Sequence, residues 1–253
     1  MSKSKDQIKR EIEEDIEQYE RTKSVRKSNS FSKEEWEKCK KNIKLTEKQN
    51  ELFKGIKNNI LTVVHGAAGT SKTFTSCYAA LDLLANKKVE KIIITKPIQE
   101  SGESLGYLPG NISEKTQPYQ MSFYNTFVKL IGKSNTDFLF SCEDITFEPI
   151  AFLRGSSFDN AIMLLDEAQN SSMKQLMLWA TRLGKDSKCV AIGDVNQYDV
   201  RPRDSGFGDF INMVQGMKFM LNFKFENIDI VRNKFLVELT DRYDKYKADN
   251  NYH

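Results

Sequence analysis

Short apolar runs alternate with helical patterns through most of this chain. Five runs have the composition of buried strands: LTVVH (61–65), KIIIT (91–95), AIMLLD (161–166), KCVAIGD (188–194) and FMLNF (219–223). They are almost continuously apolar, which indicates burial on both faces. Strands and helices in this alternation predict a parallel sheet covered by helices on both sides. Residues 132–147, GKSNTDFLFSCEDITF, break the rhythm, and we interpret them as an insertion or a β-hairpin.

The beginning of the chain is more polar. From Asp6 to Arg21, apolar residues recur at helical spacing among mixed charges. This predicts a helix with a narrow apolar stripe that either faces solvent or contacts a neighbouring subunit; the stripe consists of Ile8, Ile12, Ile16 and Tyr19. A hinge follows at residues 24–32, and Ser32 with Glu35 predicts a capping box that opens a short helix around Trp36. We therefore expect a charged helical extension, residues 1–44, and one α/β domain, residues 45–253.

Composition narrows the class of protein. With 253 residues, 39% hydrophobic residues and five prolines, the chain suits a soluble domain with a sizeable core. The net charge of +3 lies in the first fifty residues, so charge alone indicates no nucleic-acid partner. Four scattered cysteines argue against structural zinc and favour a reducing, cytoplasmic location. No apolar run reaches the ~18 residues of a membrane span, and the first residues lack a signal core.

The segment GAAGTSKT (66–73) joins the first predicted strand to a helix, which is the context of a phosphate-binding loop. Its backbone N–H groups would surround a β-phosphate, Lys72 would reach the β- and γ-phosphates, and the Thr73 hydroxyl would ligate Mg²⁺. Ser71 stands where such loops usually have glycine. With a negative φ there, as at the start of a helix, serine would cost little, whereas a positive φ would cost of order 1 kcal/mol. The predicted ATP contacts are Gly66, Ala67, Ala68, Gly69, Thr70, Ser71, Lys72, Thr73 and Phe74.

Two further polar clusters follow predicted strands. Asp166 and Glu167 come after AIMLL, where ligands of open α/β sheets bind. Asp166 would hold Mg²⁺ and Glu167 would deprotonate water, which favours hydrolysis over transfer to a second substrate. Asp194 and Gln197 follow the next strand, and Gln197 would contact both the attacking water and the γ-phosphate. A small-molecule kinase is disfavoured on these grounds.

Other candidates are weaker on spacing alone. Gln49 lies in a helix before the first strand, close enough in sequence for its amide to contact adenine, although a surface glutamine suits the pattern as well. Several arginines are available to neutralise transition-state charge, and spacing does not choose among them: Arg154, Arg182, Arg201, Arg203 and Arg232.

With these residues in place, the chain resembles the PhoH-family ATPases from about Leu45 to Tyr246. The stretches that carry the resemblance include GAAGTSKT, GESLGYLPG, FLRGSSFDNAIMLLDEAQN, AIGDVNQYDV and DIVRNKFLVEL. The resemblance implies a RecA-like P-loop NTPase fold, a three-layer α/β/α arrangement with a mostly parallel sheet. It also implies an extra strand between the two nucleotide motifs, which would bring Gln197 next to the γ-phosphate. Gln49 resembles the adenine-reading glutamine. Arg182 and Arg232 match arginines of family motifs, and the resemblance leaves open which of them completes a catalytic site.

The resemblance further implies partners. The family is similar to the ATPase half of superfamily 1 helicases, so we expect coupling to RNA or single-stranded DNA, with a homohexameric ring that holds ATP between subunits. A strand-binding loop is expected after the second strand, with Lys96, Gln99 and Tyr107; a purely structural loop is equally compatible. The alternative is a nucleotide-gated adaptor that does not move nucleic acid. We expect no nuclease activity, because the chain has no room for a PIN domain.

The chain departs from the family pattern at four places, which are Ser71, Lys96–Pro97 in place of an Arg-Pro pair, Phe207 after Ser205 and Gly206, and Asn233 in place of histidine.

Overall fold

Six parallel strands form the centre of the structure. The computed structural model describes residues 31–97, 112–197, 199–200 and 204–250, without the side chains of 112–116 and 248. The strands are β1 (Leu61–His65), β2 (Lys91–Thr95), β3 (Ile145–Phe147), β4 (Ala161–Leu165), β5 (Lys188–Gly193) and β6 (Met220–Lys224). They lie in the order β3-β2-β4-β5-β1-β6, and every neighbouring pair is parallel. The predicted parallel sheet is therefore confirmed.

Helices cover both faces of this sheet. They are α1 (Lys33–Lys40), α2 (Glu47–Asn58), α3 (Lys72–Ala85), α4 (Ile112–Ser141), α5 (Met173–Ala180), α6 (Phe207–Val214) and α7 (Lys234–Asp249). Successive strand residues face opposite apolar clusters, since Val64 packs with α2, α3 and α4, whereas Val63 packs with α5 and α6. This is the three-layer RecA-like arrangement expected from the resemblance. Within the described residues, no helix is long and apolar enough to cross a membrane.

Strand order determines which loops meet. β5 lies between β1 and β4, as the resemblance implies for the added strand, and β6 pairs with the other edge of β1. In register, His65 at the end of β1 pairs with Gly193 of β5 and Lys224 of β6. Because the strands are parallel, the segments that follow β1, β4, β5 and β6 emerge side by side at one edge.

Helix α1 packs into the core. The predicted capping box is confirmed, since the Ser32 hydroxyl accepts from Glu35 N and the Glu35 carboxylate accepts from Ser32 N. The Trp36 side chain is fully buried, and its indole N–H donates to Asp82 on α3 at 2.9 Å. Lys57 of α2 forms an ion pair with the same carboxylate at 2.8 Å. Asp82 therefore joins three helices. The stretch from Asp6 to Arg21 lies outside the described residues, and the division after residue 44 stays a prediction.

The interpretation of residues 132–147 as a β-hairpin is wrong. Helix α4 extends to Ser141 with a break at Gly132, where φ is 78°, and β3 then pairs in parallel with β2. Leu139 and Thr136 are buried one turn apart, so this stretch has a helical face after the glycine. Gly132 and the polar residues that follow it interrupt the helical spacing of apolar residues, because α4 changes direction at this glycine.

Candidate nucleotide-binding site

A cavity of about 430 Å³ lies at the carboxyl edge of the sheet. It is open to the ends of β1, β4 and β5, where the parallel register brings three loops together. Most of the predicted phosphate, metal and catalytic residues line it: Ala68, Gly69, Ser71, Lys72, Thr73, Phe74, Asp166, Glu167, Gln197 and Arg232.

The phosphate loop requires glycine at two positions. Gly66 has a φ of 139°, and a Cβ atom there would overlap the Phe225 carbonyl oxygen. Gly69 has a φ of 90°, and a Cβ atom would approach Ile230 at 3.3 Å. Both glycines therefore permit close approach of the segment after β6, in a conformation that other residues rarely adopt. Gly69 O also accepts from Val231 N at 3.1 Å, which joins the loop to that segment.

Lys72 lies against the loop that it is predicted to complete. Its ammonium donates to Gly66 O at 2.5 Å and to Ala67 O at 2.8 Å, while the Thr70 hydroxyl donates to Ala67 O. Burial lowers the pKa of Lys72, and the nearby carboxylates, Asp194 first among them, oppose that shift. The arrangement holds a cation against two carbonyl oxygens of the loop at the edge of the cavity, a position that suits binding of an anion.

Of the two backbone conformations open to Ser71, the structure has the one with a positive φ. Ser71 has φ 66° and ψ 31°, in the left-handed region, and it precedes the first residue of α3. Its hydroxyl makes no capping hydrogen bond, although its carbonyl accepts from Thr75 N at 2.9 Å. The loop therefore turns into the helix through a left-handed residue. Glycine is common at this position in such loops because it adopts that conformation without strain.

Replacing Ser71 by glycine should stabilise the protein. The change relieves of order 1 kcal/mol of backbone strain, which corresponds to a rise in melting temperature of about 2–4 °C for a domain of this size. Since the loop already has this conformation, the nucleotide dissociation constant should change less than tenfold. Thermal unfolding and nucleotide titration measure both effects. S71A is the control and should give no gain; equal stability of S71G and S71A would contradict this account.

Thr73 and Asp166 bring two oxygen ligands together beside the loop. The Thr73 hydroxyl donates to the Asp166 carboxylate at 3.1 Å, and Asp166 N donates to Thr95 O at the end of β2. Oxygen ligands of this kind fit Mg²⁺, which usually takes one or two protein groups together with nucleotide phosphates and water. Among the residues that the structure describes, no group of three or more His, Cys, Asp or Glu side chains is arranged to hold a metal. The Thr73 hydroxyl and the Asp166 carboxylate suit a Mg²⁺ ion that nucleotide phosphates also ligate.

The surroundings of Asp166 make its charged form less favourable than it is in water. Burial, followed by the charge of Glu167, raises the pKa of Asp166 from 3.8 to about 6, while Lys96 and the Thr73 hydrogen bond oppose this shift. Lys96, where the family usually has arginine, is thus close enough to influence the carboxylate. Burial likewise raises the pKa of Asp194. The site holds carboxylates whose charge is costly without a bound cation.

The raised pKa of Asp166 predicts a pH-dependent cost to stability. Because the pKa of Asp166 is higher in the folded state, protonation of this carboxyl stabilises the folded protein. The stabilisation is fully present below the unfolded-state pKa of 3.8 and is lost as the pH rises through the folded-state pKa of about 6. D166N removes the buried charge, so at about pH 8 it should melt at a higher temperature than the unmodified protein without metal or nucleotide. The difference should shrink towards about pH 5, where D209N, an exposed control, should show no such trend. A constant difference would contradict this account.

Glu167 has a strained backbone beside the metal pair. Its φ is 54° and its ψ 40°, so it lies in the left-handed region immediately after Asp166. Its carboxylate lines the cavity and accepts from the Gln169 amide at 2.6 Å. Non-glycine residues in this conformation are costly and concentrate at functional sites. The conformation turns the chain away from the sheet, which allows adjacent residues to hold two carboxylates at the same cavity.

Gln197 lines the cavity from the loop that follows β5. Asp194 begins this loop, and its carboxylate accepts from Asn196 N at 2.9 Å. Because β5 neighbours β1, the loop lies next to the phosphate loop, as expected for the predicted γ-phosphate contact. The structure therefore brings together the predicted loop, carboxylate pair and glutamine.

Three candidates from outside the phosphate loop do not line the cavity: Gln49, Arg154 and Arg182. Gln49 is buried at the start of α2, where its side-chain oxygen accepts from Thr46 N at 3.0 Å, and it does not line the cavity. Arg182 lies near the amino-terminal edge of the sheet, where its carbonyl accepts from Phe158 N and its guanidinium donates to Ser156 O. Their roles in adenine binding and catalysis stay predictions. Gln99, Tyr107, Arg201 and Arg203 lie outside the described residues.

Arg232 differs from Arg182 because it lines the cavity of its own chain. It follows Val231, whose N–H bonds to the phosphate loop, and its Cβ lies 3.4 Å from where a Gly69 Cβ would be. Its charge contributes to the lowered pKa of Lys72, after the larger effect of burial. The arginine is thus positioned near the predicted phosphates without a second subunit.

Thr126 and Lys129 of α4 also line the cavity, and neither is among the predicted site residues. They occur within the helical stretch between β2 and β3, with no motif around them. Lys129 is exposed, and among the described residues it takes part in no hydrogen bond or ion pair. A cation so placed adds to the positive charge of Lys72 and Arg232 around the cavity.

Replacing Lys129 by alanine should weaken nucleotide binding. The expected loss is about twofold to fivefold, because an exposed charge contributes up to ~1 kcal/mol. The loss should shrink as salt is added, and titration with ATP at low and high salt measures it. K133A removes an exposed lysine of the same helix that does not line the cavity, so it serves as the control. Equal effects of K129A and K133A would show that Lys129 acts only through net charge.

Comparison with known proteins agrees with this geometry. The family model described as PhoH-like protein matches residues 42–244. The PhoH-like protein of Bacillus subtilis (strain 168) is 36% identical over 198 residues, which are 78% of this chain and 62% of the relative. Protein PhoH of Escherichia coli (strain K12) is 35% identical over 191 residues, 74% of this chain and 54% of the relative. The chain thus spans less than two thirds of the length of these relatives.

Solved structures resemble the chain only distantly. The DUF1998 helicase MrfA, solved bound to DNA, has a TM-score of 0.47 at 11% identity, over 78% of this chain and 28% of MrfA. That likeness is too weak to indicate a function. The family match covers the phosphate loop, the carboxylate pair and the Asp194–Gln197 loop. The chain therefore belongs to the PhoH-like protein family, with the phosphate loop of a P-loop NTPase.

Proposed function

We propose that the protein hydrolyses ATP with Mg²⁺, and that RNA or single-stranded DNA is coupled to this activity. The observation that carries the proposal is the single cavity where Lys72, the Thr73–Asp166 pair, Glu167 and Gln197 meet. A protein that binds ATP without hydrolysing it needs the phosphate loop and the Thr73–Asp166 pair. It does not need a second carboxylate and a glutamine at the same cavity.

Each residue has a separate task in this proposal. The loop N–H groups and Lys72 bind the phosphates, while Thr73 and Asp166 hold Mg²⁺, which supplies neutralisation of phosphate charge. Glu167 accepts a proton from water, and Gln197 orients that water towards the γ-phosphate. Arg232 adds positive charge where the transition state gains negative charge. The products are ADP and phosphate, and no acceptor molecule is required.

An oligomer is part of the proposal. Arg182 lies at the opposite edge of the sheet from its own cavity, so it would reach a nucleotide only on a neighbouring copy. Helix α7 supports the same idea, because none of its described side chains is buried and four exposed apolar residues recur along it: Phe235, Leu239, Tyr243 and Tyr246. An apolar stripe of this kind is typical of a covered surface. We propose a homohexameric ring, in the cytoplasm, with ATP between subunits.

A nucleotide-gated adaptor is the second candidate. The net charge of +3 is confined to the first fifty residues, so the rest of the chain is neutral overall. A neutral core favours a protein that binds ATP and changes partners without moving nucleic acid.

An ATPase assay with and without single-stranded RNA or DNA separates the two candidates. The motor-like proposal expects phosphate release that nucleic acid stimulates, with stimulation falling steeply as salt rises. The adaptor expects nucleotide binding and no stimulation. Mass measurement of the assembly, with and without ATP, tests the hexamer. Absence of phosphate release from the intact assembly, with and without nucleic acid, would overturn the proposed hydrolysis.

A further inference from the structure

Gln169 connects the two halves of the cavity. Its side chain is only 4% exposed, and its amide donates to the Glu167 carboxylate at 2.6 Å. The oxygen of the same side chain accepts from Asp194 N at 3.0 Å. One buried amide therefore joins the predicted water-activating carboxylate to the first residue of the loop that carries Gln197.

Asn170 holds the other end of that loop. Its amide donates to the Asp199 carboxylate at 2.7 Å, and its oxygen accepts from Asp199 N at 2.8 Å. Gln169 and Asn170 both belong to the short 3-10 helix Ala168–Asn170, directly after Glu167. The loop from Asp194 to Asp199 is thus bound at both ends by consecutive side chains of the turn that carries Glu167.

The packing leaves little space for this bridge to move independently. A Cβ atom on Gly193 would lie 2.9 Å from the Gln169 side-chain oxygen and 2.5 Å from the Phe207 ring. Asn170 is 5% exposed, so both amides are enclosed. Buried amides of this kind are costly when unpaired, which keeps the hydrogen bonds formed. The hydrogen bonds of Gln169 and Asn170 therefore hold the loop that carries Gln197 against the turn that carries Glu167.

We infer that Gln169 and Asn170 are positioning residues that couple the γ-phosphate contact of Gln197 to the orientation of the Glu167 carboxylate. This inference rests on the proposed function. Its consequence is that ATP recognition and water activation depend on the same hydrogen bonds. Contact between Gln197 and a γ-phosphate holds the loop in place, and Gln169 then holds the Glu167 carboxylate in its orientation. After hydrolysis, the position of the loop and the orientation of the carboxylate change together.

Variants of Gln169 separate its two hydrogen bonds. Q169E keeps an acceptor for Asp194 N but loses the donor to Glu167, so kcat should fall while the preference for ATP over ADP is retained. Q169M loses both bonds, so kcat and that preference should both fall. We expect a loss in kcat of about tenfold to a hundredfold, since misplacement by ~1 Å can cost about 10²-fold. KM should change much less than kcat.

A matched control comes from the same segment. Gln175 forms the capping box of α5, where its oxygen accepts from Ser172 N at 2.8 Å, and it does not line the cavity. Q175M should lower the melting temperature without changing kcat. This separates loss of a structural glutamine from loss of a positioning glutamine, provided that every variant is compared at a temperature where it is folded.

Asn170 and Asp199 allow a test by exchange. N170D places two carboxylates together and should lower both kcat and the preference for ATP. N170D/D199N restores a donor opposite an acceptor, because the two side chains exchange their amide and carboxylate groups. Recovery of at least half of the lost activity is expected. Failure of the exchange in a folded double variant would overturn the role of Asn170.

The readouts distinguish this inference from the proposed function. If the unmodified protein hydrolyses ATP and Q169M keeps its kcat, the coupling is overturned and the ATPase stands. If the unmodified protein releases no phosphate, the affinities for a non-hydrolysable ATP analogue and for ADP remain a direct readout. In that case the coupling requires that Q169M and N170D lower the ratio of the affinity for the ATP analogue to the affinity for ADP. An unchanged ratio would overturn the coupling.

Discussion

Replacing Glu167 by glutamine is expected to lower ATP turnover by about 10²–10⁴-fold, the usual contribution of a positioned general base. The amide keeps the size of the side chain and its place beside Asp166 but does not accept the proton of water. The Thr73–Asp166 pair and the phosphate loop are unchanged. ATP affinity should therefore stay close to that of the unmodified protein. Steady-state phosphate release and nucleotide titration measure the two quantities.

Glu148 provides the control for this experiment. It also follows a strand, since β3 ends at Phe147, and it is half-buried, but it does not line the cavity. E148Q should turn over ATP at the normal rate. Normal turnover by E167Q would remove Glu167 from the proposed mechanism, and equal losses in E167Q and E148Q would point to a general effect of removing a carboxylate.

Replacing Trp36 by alanine is expected to lower the free energy of unfolding by about 3–5 kcal/mol, the usual cost of truncating a fully buried tryptophan. The indole packs edge-on against Tyr78 at a ring distance of 4.9 Å and donates to the buried Asp82 carboxylate. Truncation leaves a void between α1 and α3 and removes one partner of Asp82. Denaturant unfolding, followed by circular dichroism, measures the loss.

Two further variants distinguish the causes of the stability loss expected for W36A. W36F keeps an aromatic ring but not the indole N–H, so it should lose less than W36A. K38A changes an exposed residue of the same helix and should have little effect on stability. If W36A unfolds at the same denaturant concentration as K38A, α1 does not contribute to the core. This result would favour treating residues 1–44 as an independent extension.

The elements that the sequence predicts well are those with a strong local signal. Four of the five predicted strands begin at the predicted residue, because buried parallel strands are continuous apolar runs. The phosphate loop has both a motif and a strand–helix context. The cluster of Asp166, Glu167 and Gln197 is predictable from sequence because each residue follows a recognisable strand. Parallel register then brings the ends of neighbouring strands together.

Other features depend on tertiary contacts that no local pattern contains. Lys129 belongs to the cavity only because α4 crosses near the phosphate loop. The left-handed φ of Ser71 is set by closure of the loop rather than by helix propensity. β3 has three residues and is defined by its pairing with β2, so its own sequence carries little signal. The hydrogen bonds by which Gln169 joins Glu167 to Asp194 likewise depend on β4 and β5 being neighbours in the sheet, so the sequence around Gln169 does not predict them.

The position of β1 within the sheet has a consequence for how the chain is made. This early strand carries the phosphate loop, yet its two partners are β5, residues 188–193, and β6, residues 220–224. During synthesis the loop therefore has no flanking strands until nearly the whole domain has left the ribosome. Such long-range parallel pairing is slow to form and exposes apolar strands meanwhile. The phosphate loop is therefore flanked on both sides only after β5 and β6 have paired with β1.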